Sequence, residues 1–126
     1  MNDATLLAQK IGLAGKVAVY GIFFDTNRAL VKPESEPALA EIEKLLDSNA
    51  EMKIYVVEHT DTVGDFDYNM DLSRRRAEAV VEVLVSKHGI DRGRLAPHGV
   101  GPLVPASSNR TDDGRARNRR VELVER

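Results

Sequence analysis

Glu58-His59-Thr60-Asp61-Thr62-Val63-Gly64 is the stretch on which the fold turns. An apolar run, Met52 to His59, leads into it and reads as a strand with a carboxylate near its end. Five residues beyond the stretch, Asn69 to Lys87 has the periodicity of a helix. At about 100° per residue with Leu72 at zero, Val83, Val80 and Leu84 fall at about 20°, 80° and 120° and mark a buried arc. Arg76 falls at about 40°, inside that arc, with Asn69 and Ser73 on the same side. Arg74, Arg75, Glu78 and Glu82 fall opposite. One arginine of the 74–76 run therefore points inward. A buried guanidinium needs an anionic partner, and Asp61 is the nearest candidate in the chain.

Upstream, Lys16 to Asp25 contains Val-Ala-Val-Tyr-Gly-Ile-Phe-Phe, apolar on both parities, which predicts a strand buried on both faces and central in its sheet. It ends at the turn signal Asp25-Thr26-Asn27. Pro33 or Pro37 opens a helix carrying Leu39, Ile42, Leu45 and Leu46, and Asp47-Ser48-Asn49 closes it. Strand, helix, strand at this length is a βαβ unit with parallel strands. Asp25 and Asp61 then lie just past two carboxyl strand ends, the edge where open α/β sheets bind ligands. The N-terminus of the 69–87 helix, with its free N–H groups, opens there too. At the start of the chain, Asp3 to Gly12 has a weak helical pattern, so residues 1–15 are expected to form an extension with a short helix and 16–126 the domain proper.

Downstream, Gly89 suits the residue after a helix end, and Arg94 to Val100 reads as a third strand. Gly99, Gly101, Pro102 and Pro105 signal a loop. Thr111 reads as the N-cap of a short helix with Asp112 and Asp113 in its first turn and Arg115 and Arg117 later. Arg119 to Glu125 alternates as a last strand, with Arg119 on the parity of Val121 and Leu123 and Arg120 facing away. If that strand is antiparallel to the first two, Arg119 reaches the same edge as Asp25, Asp61 and Arg76. The expected fold is α/β: a two-layer sandwich of βαβαβ(α)β order, with helices on a mixed sheet of about four strands.

The 126 residues are 42% hydrophobic and 30% charged, as expected of one soluble globular domain. The net charge of −2 gives no long-range attraction to nucleic acid or anionic membrane. There are no cysteines, which rules out disulfides and thiol chemistry and suits cytoplasm or periplasm. No segment is long and apolar enough to span a membrane as a helix, and no secretion signal opens the chain. The expectation is a cytoplasmic protein or a domain of a longer precursor.

The inferred edge holds two carboxylates, two arginines, an amide and a hydroxyl. That set suits a ligand with both charges on one carbon: an ammonium on Asp61 and Asp25, a carboxylate in an arginine fork. Nothing in it resembles an activated nucleophile. At these residues the chain resembles a known family. His59-Thr60-Asp61, Gly64, Asn69, Leu72-Ser73, Arg76-Ala77, Asn109, Gly114-Arg115-Ala116 and Asn118-Arg119-Arg120-Val121-Glu122 are similar, in order, to the motifs of OmpA-like C-terminal domains. The resemblance runs from about Val17 to the C-terminus. It implies non-covalent binding of peptidoglycan through the diaminopimelate of the stem peptide, without catalysis and without a cofactor or metal. It also implies a periplasmic location in a longer, outer-membrane-associated protein, and leaves a homodimer open. By motif position, Asp61 and Arg76 are the main pair holding the ligand amine and carboxylate. Asn69, Arg119 and Asp25 line the pocket, and Thr60 and Thr62 approach through the loop backbone. Glu58 stands where the family usually has glycine, adding charge at the rim or pairing with a basic neighbour. Val63 stands where a small polar residue is common.

Simpler roles exist for the same residues. Asp61 and Asp25 can serve as turn residues, Asn69 as a helix cap, and Arg76 as one half of a structural ion pair. His59 reads as a hydrogen-bonded core residue, and His88 and His98 as surface residues without metal-ligand spacing. Arg74 and Glu78 form an ordinary i,i+4 pair. Two other functions follow from the same stretch: an acid–base hydrolase built on His59, Asp61 and Asp25, or an interaction module that keeps the fold without the ligand.

Overall fold

The computed structural model describes residues 3–126, so the first two residues of the expected N-terminal extension lie outside the described residues. Its elements are α1 (Ala4–Ala14), β1 (Lys16–Val19), α2 (Glu36–Ser48), β2 (Ile54–His59), α3 (Phe66–Ser86), β3 (Leu95–Gly101), α4 (Asp112–Asn118) and β4 (Arg120–Glu125). Short 3-10 turns at Pro33–Ser35 and Arg92–Arg94 precede α2 and β3. The four strands form one mixed sheet in the order β1-β4-β2-β3. β4 is antiparallel to both β1 and β2, and β3 is parallel to β2. β1 and β2 thus run in the same direction, as the βαβ reading requires, but the last strand of the chain separates them.

The first strand is shorter and more peripheral than its composition predicts. Only Lys16–Val19 pairs, with Val121–Val124, and β1 is an edge strand. Tyr20 to Asp25 leaves the sheet, and a lone bridge joins Phe24 to Val31. Ile22 and Phe24 pack on the margin of the core, which is why the segment is apolar on both parities without being a central strand.

The helices cover one face of the sheet. Leu39, Ile42, Leu45 and Leu46 of α2 and Val80, Val81 and Leu84 of α3 bury against Ile54, Val56, Val121 and Leu123. Leu7 and Ile11 of α1 join the same core. α1 is capped by Asp3, which accepts from the Leu6 N–H, and by Gly15 at φ 75°. α3 begins three residues earlier than its periodicity suggests, because Asp65 caps it by accepting from the Tyr68 N–H. It crosses β3 at close range. A Cβ at Gly99 would lie 2.1 Å from the Arg74 nitrogen and 2.4 Å from the Ser73 carbonyl carbon. The Gly101 N–H donates to Ser73 Oγ at 3.0 Å. Gly99 and Gly101 therefore belong to β3 and not to a loop; the missing side chains let helix and strand meet.

The opposite face is covered at one end. The alternation of β4 holds: Arg120 faces away from the helix-covered core as expected, and it is buried there. Its guanidinium donates to Glu122 (3.1 Å), the Asn118 carbonyl (3.2 Å) and the Val104 carbonyl (3.1 Å). His59 sits beside it, Nε2 3.2 Å from Glu122 Oε1. Burial first, then the Arg120 guanidinium, pushes the His59 imidazole below its usual pKa, against the pull of Glu122. The overlying loop is fixed by Asn118, which accepts from the Ala106 and Ser107 N–H groups and donates to Ser107 and Asn109. His88 is not a surface residue either. It is wedged between α2 and the end of α3, its ring nitrogens 2.6 Å from Glu43 and 2.8 Å from Glu36.

Candidate functional site

A cleft of about 370 Å³ opens where β2 ends and α3 begins. Thr60, Asp61 and Val63 form one wall, Asn69, Leu72 and Arg76 of α3 another, and Phe24, Thr26 and Asn27 a third, with Arg119 closing the end. The β2–α3 turn is built by its own side chains. Asp61 Oδ1 accepts from the Val63 N–H at 2.9 Å, and Asn69 Nδ2 donates to the Val63 carbonyl at 2.9 Å. Thr60 is buried, its N–H on the Gly101 carbonyl and its hydroxyl on the Asp61 carbonyl. Asp61 is thus a turn residue and a cleft residue at once. Asn69 braces the turn, while the capping of α3 falls to Asp65.

The ion pairing differs from the expected one. Asp61 Oδ2 meets Arg119 Nη1 at 2.6 Å, not Arg76. The strand order explains this: β4 lies directly beside β2, so the residue that enters β4 sits next to the residue that leaves β2. Arg76 instead donates Nε to the Arg28 carbonyl at 2.8 Å and Nη2 to the Asp25 carbonyl at 3.1 Å. Its guanidinium carbon lies 4.8 Å over the Phe24 ring. No carboxylate oxygen of the described residues comes within 4.0 Å of it. Arg76 is half-buried and turned into the cleft, not into bulk solvent. Burial lowers its pKa, with the charge of Glu58 as the main opposing influence. The cleft therefore holds one compensated and one uncompensated arginine.

Asp25 contributes its carbonyl to the site. Its carboxylate is turned to Lys32 at 3.1 Å, outside the cleft. Thr62 is exposed and does not line the cleft, and Val63 stands exposed at its mouth. Glu58 is neither on the rim nor paired. It is 4% exposed, and its Oε2 has no hydrogen-bond partner among the described residues. Desolvation raises its pKa to about 8, against the pull of Arg76. His59, Asp61 and Asp25 do not converge: the imidazole is on the far face of the sheet with Glu122, and the two aspartates pair with different cations.

Phe24, Asn27 and the two loop carbonyls were not found from the sequence. Asp25-Thr26-Asn27 signals the turn, and Asn27 does take a left-handed φ of 59°. Nothing in that signal says the turn folds onto Arg76.

The model of the OmpA family matches residues 23–119. Outer membrane protein A of Bordetella avium is 45% identical over 101 residues, 80% of this chain and 52% of that protein. The chain spans about half the length, or less, of the curated relatives it matches. Among solved structures, the peptidoglycan-associated lipoprotein from Burkholderia pseudomallei superposes with a TM-score of 0.72 at 28% identity, over 83% of this chain and 88% of that one. The cell wall anchor of the T6SS from Pseudomonas aeruginosa does so with a TM-score of 0.71 at 28% identity, over 97% and 94%.

Proposed function

The chain belongs to the OmpA family, and from that premise we propose that it binds peptidoglycan without catalysis, through the diaminopimelate of the stem peptide. On this reading it tethers a longer envelope protein to the cell wall from the periplasmic side of the outer membrane. The similarity to an outer membrane protein, a peptidoglycan-associated lipoprotein and a cell wall anchor supports that setting.

The observation that carries the reading is the unequal state of the two arginines in one cleft. Arg76 is aimed by two carbonyls and an aromatic ring but has no anionic partner among the described residues. It is ready to receive a carboxylate without first losing an ion pair. Asp61 accepts an ammonium while Arg119, half in solvent, swings toward the ligand's carboxylate or the bulk. Asn69 and Thr60 hold the turn that presents Asp61, and the Asp25 carbonyl holds Arg76. Thr62 contributes only through the chain that carries it.

Titration of the protein with a diaminopimelate-containing stem peptide, followed by NMR at Asp61 and Arg76, tests this. Saturable shifts are expected at both. A lysine-containing stem peptide lacks the side-chain carboxylate and should bind far more weakly; equal binding of the two refutes the role of Arg76. Release of soluble fragments from purified sacculi refutes the non-catalytic reading.

A further inference from the structure

Glu58 lines a second cavity, of about 300 Å³, that adjoins the cleft through Phe24, Arg76 and Arg119. On the sheet it lies between Val121 of β4 and Gly99 of β3, neither of which offers a polar side chain. The charged and titratable groups around it can be followed one by one. Arg119 is taken by Asp61. Arg120 is taken by Glu122 on the far face, where His59 also lies. The Tyr20 hydroxyl donates to the Arg117 carbonyl. α4 presents only Ala116 to the cavity. From α3 comes Arg76, flanked by Arg75 and Tyr68, and Arg76 is the cation whose charge Glu58 feels. Among the described residues the carboxyl and the guanidinium are each without an ionic partner, yet they remain more than 4.0 Å apart.

We propose that Glu58 sets the charge preference of the cleft: uncharged, it leaves Arg76 available to a ligand carboxylate, and ionised, it claims Arg76 for itself. The inference rests on the reading that Arg76 receives the ligand's carboxylate. A neutral acid beneath Arg76 leaves the guanidinium's full charge facing the cleft. An anion there would weaken the attraction in two ways, by drawing the guanidinium inward and by repelling the incoming carboxylate in a poorly screened site. Because burial holds the carboxyl neutral up to about pH 8, the site is open to carboxylates at neutral pH and closes in mild alkali.

Two measurements test it. In the free protein, the Glu58 carboxyl carbon and the Arg76 Nε–H are followed by NMR from pH 5 to 10. They are expected to titrate together with a midpoint near 8. A carboxyl that titrates in the ordinary glutamate range, or an Arg76 signal that ignores it, overturns the inference. In the second measurement, a stem peptide containing meso-diaminopimelate is titrated at pH 7 and pH 9 into the wild type and Glu58→Gln. The wild type should lose about tenfold in affinity between the two. The variant reports any titration of the peptide itself and should lose far less. Parallel losses in both proteins overturn the proposal. Absence of binding by both at either pH rejects the tethering function, and the ligand-free titration then decides the present inference by itself.

Discussion

Arg119 and Asp61 meet at 2.6 Å across 58 residues of chain, at the point where β2 ends and β4 begins. The pair is half in solvent on the arginine side, 52% exposed against 14% for the aspartate. Exposed pairs of this kind contribute about 0–1 kcal/mol to stability. Asp61→Asn, which keeps an oxygen for the Val63 N–H but loses the charge, is therefore expected to leave the melting temperature nearly unchanged while sacculus pull-down is lost. Removing the ligand's partner in a desolvated charge pair costs roughly 2–5 kcal/mol of binding. Calorimetric melting beside the pull-down checks both halves of the expectation.

Arg76 fastens the 24–28 loop to α3 by two forked hydrogen bonds and the face of Phe24. Lysine keeps the charge but not the planar fork. Arg76→Lys should bind stem peptide about tenfold more weakly or worse. Amide exchange at Asn27 and Arg28 should quicken in the same variant. Unchanged exchange there would show that the loop stands without the guanidinium.

Glu58 makes stability depend on pH in the direction opposite to a salt-bridged carboxylate. Its folded pKa of about 8 lies above the ordinary value of 4.5. Between those limits the folded state keeps a proton that the unfolded state has released, so stability falls as pH rises and levels off above about 8. Glu58→Gln should remove that decline, gaining on the order of a few kcal/mol over the wild type by pH 8 and almost nothing at pH 4. Urea unfolding at the two pH values measures the difference.

Gly99 lets α3 and β3 touch, and the obstacles to a Cβ there are backbone atoms of Ser73 and Arg74, which have no rotamer to change. Gly99→Ala should force the helix off the strand and destabilise by roughly 3 kcal/mol. The Ser73–Gly101 hydrogen bond should loosen with it, visible as faster exchange of the Gly101 N–H.

The helices were legible because each carries its own signal. Leu39 to Leu46 and Leu72 to Leu84 repeat at helical spacing, and Thr111 does accept from the Gly114 N–H as an N-cap should. The inward position of Arg76 was legible for the same reason. Its partners were not, since they are main-chain carbonyls at Asp25 and Arg28, and a carbonyl looks alike at every position of a sequence. The Asp61–Arg119 pair was hidden in another way. Periodicity tells which face of a strand a residue takes but not which strand lies beside it, and the insertion of β4 between β1 and β2 decides that neighbour. His88 was misjudged as a surface residue, and the burial of Arg120 was not legible, because both are polar residues covered by remote parts of the chain, the α2 glutamates and the 104–107 loop.

The insertion of β4 also bears on when the molecule becomes competent during its synthesis. β1 and β2 share no hydrogen bonds with each other and find a common partner only in residues 120–125. A nascent chain lacking those residues has two loose sheet edges and no counter-ion for Asp61, because Arg119 travels with the missing strand. Such a chain can still pair β2 with β3 beneath α3, but β1 gains its place in the sheet, and the cleft its Arg119 wall, only once β4 is added.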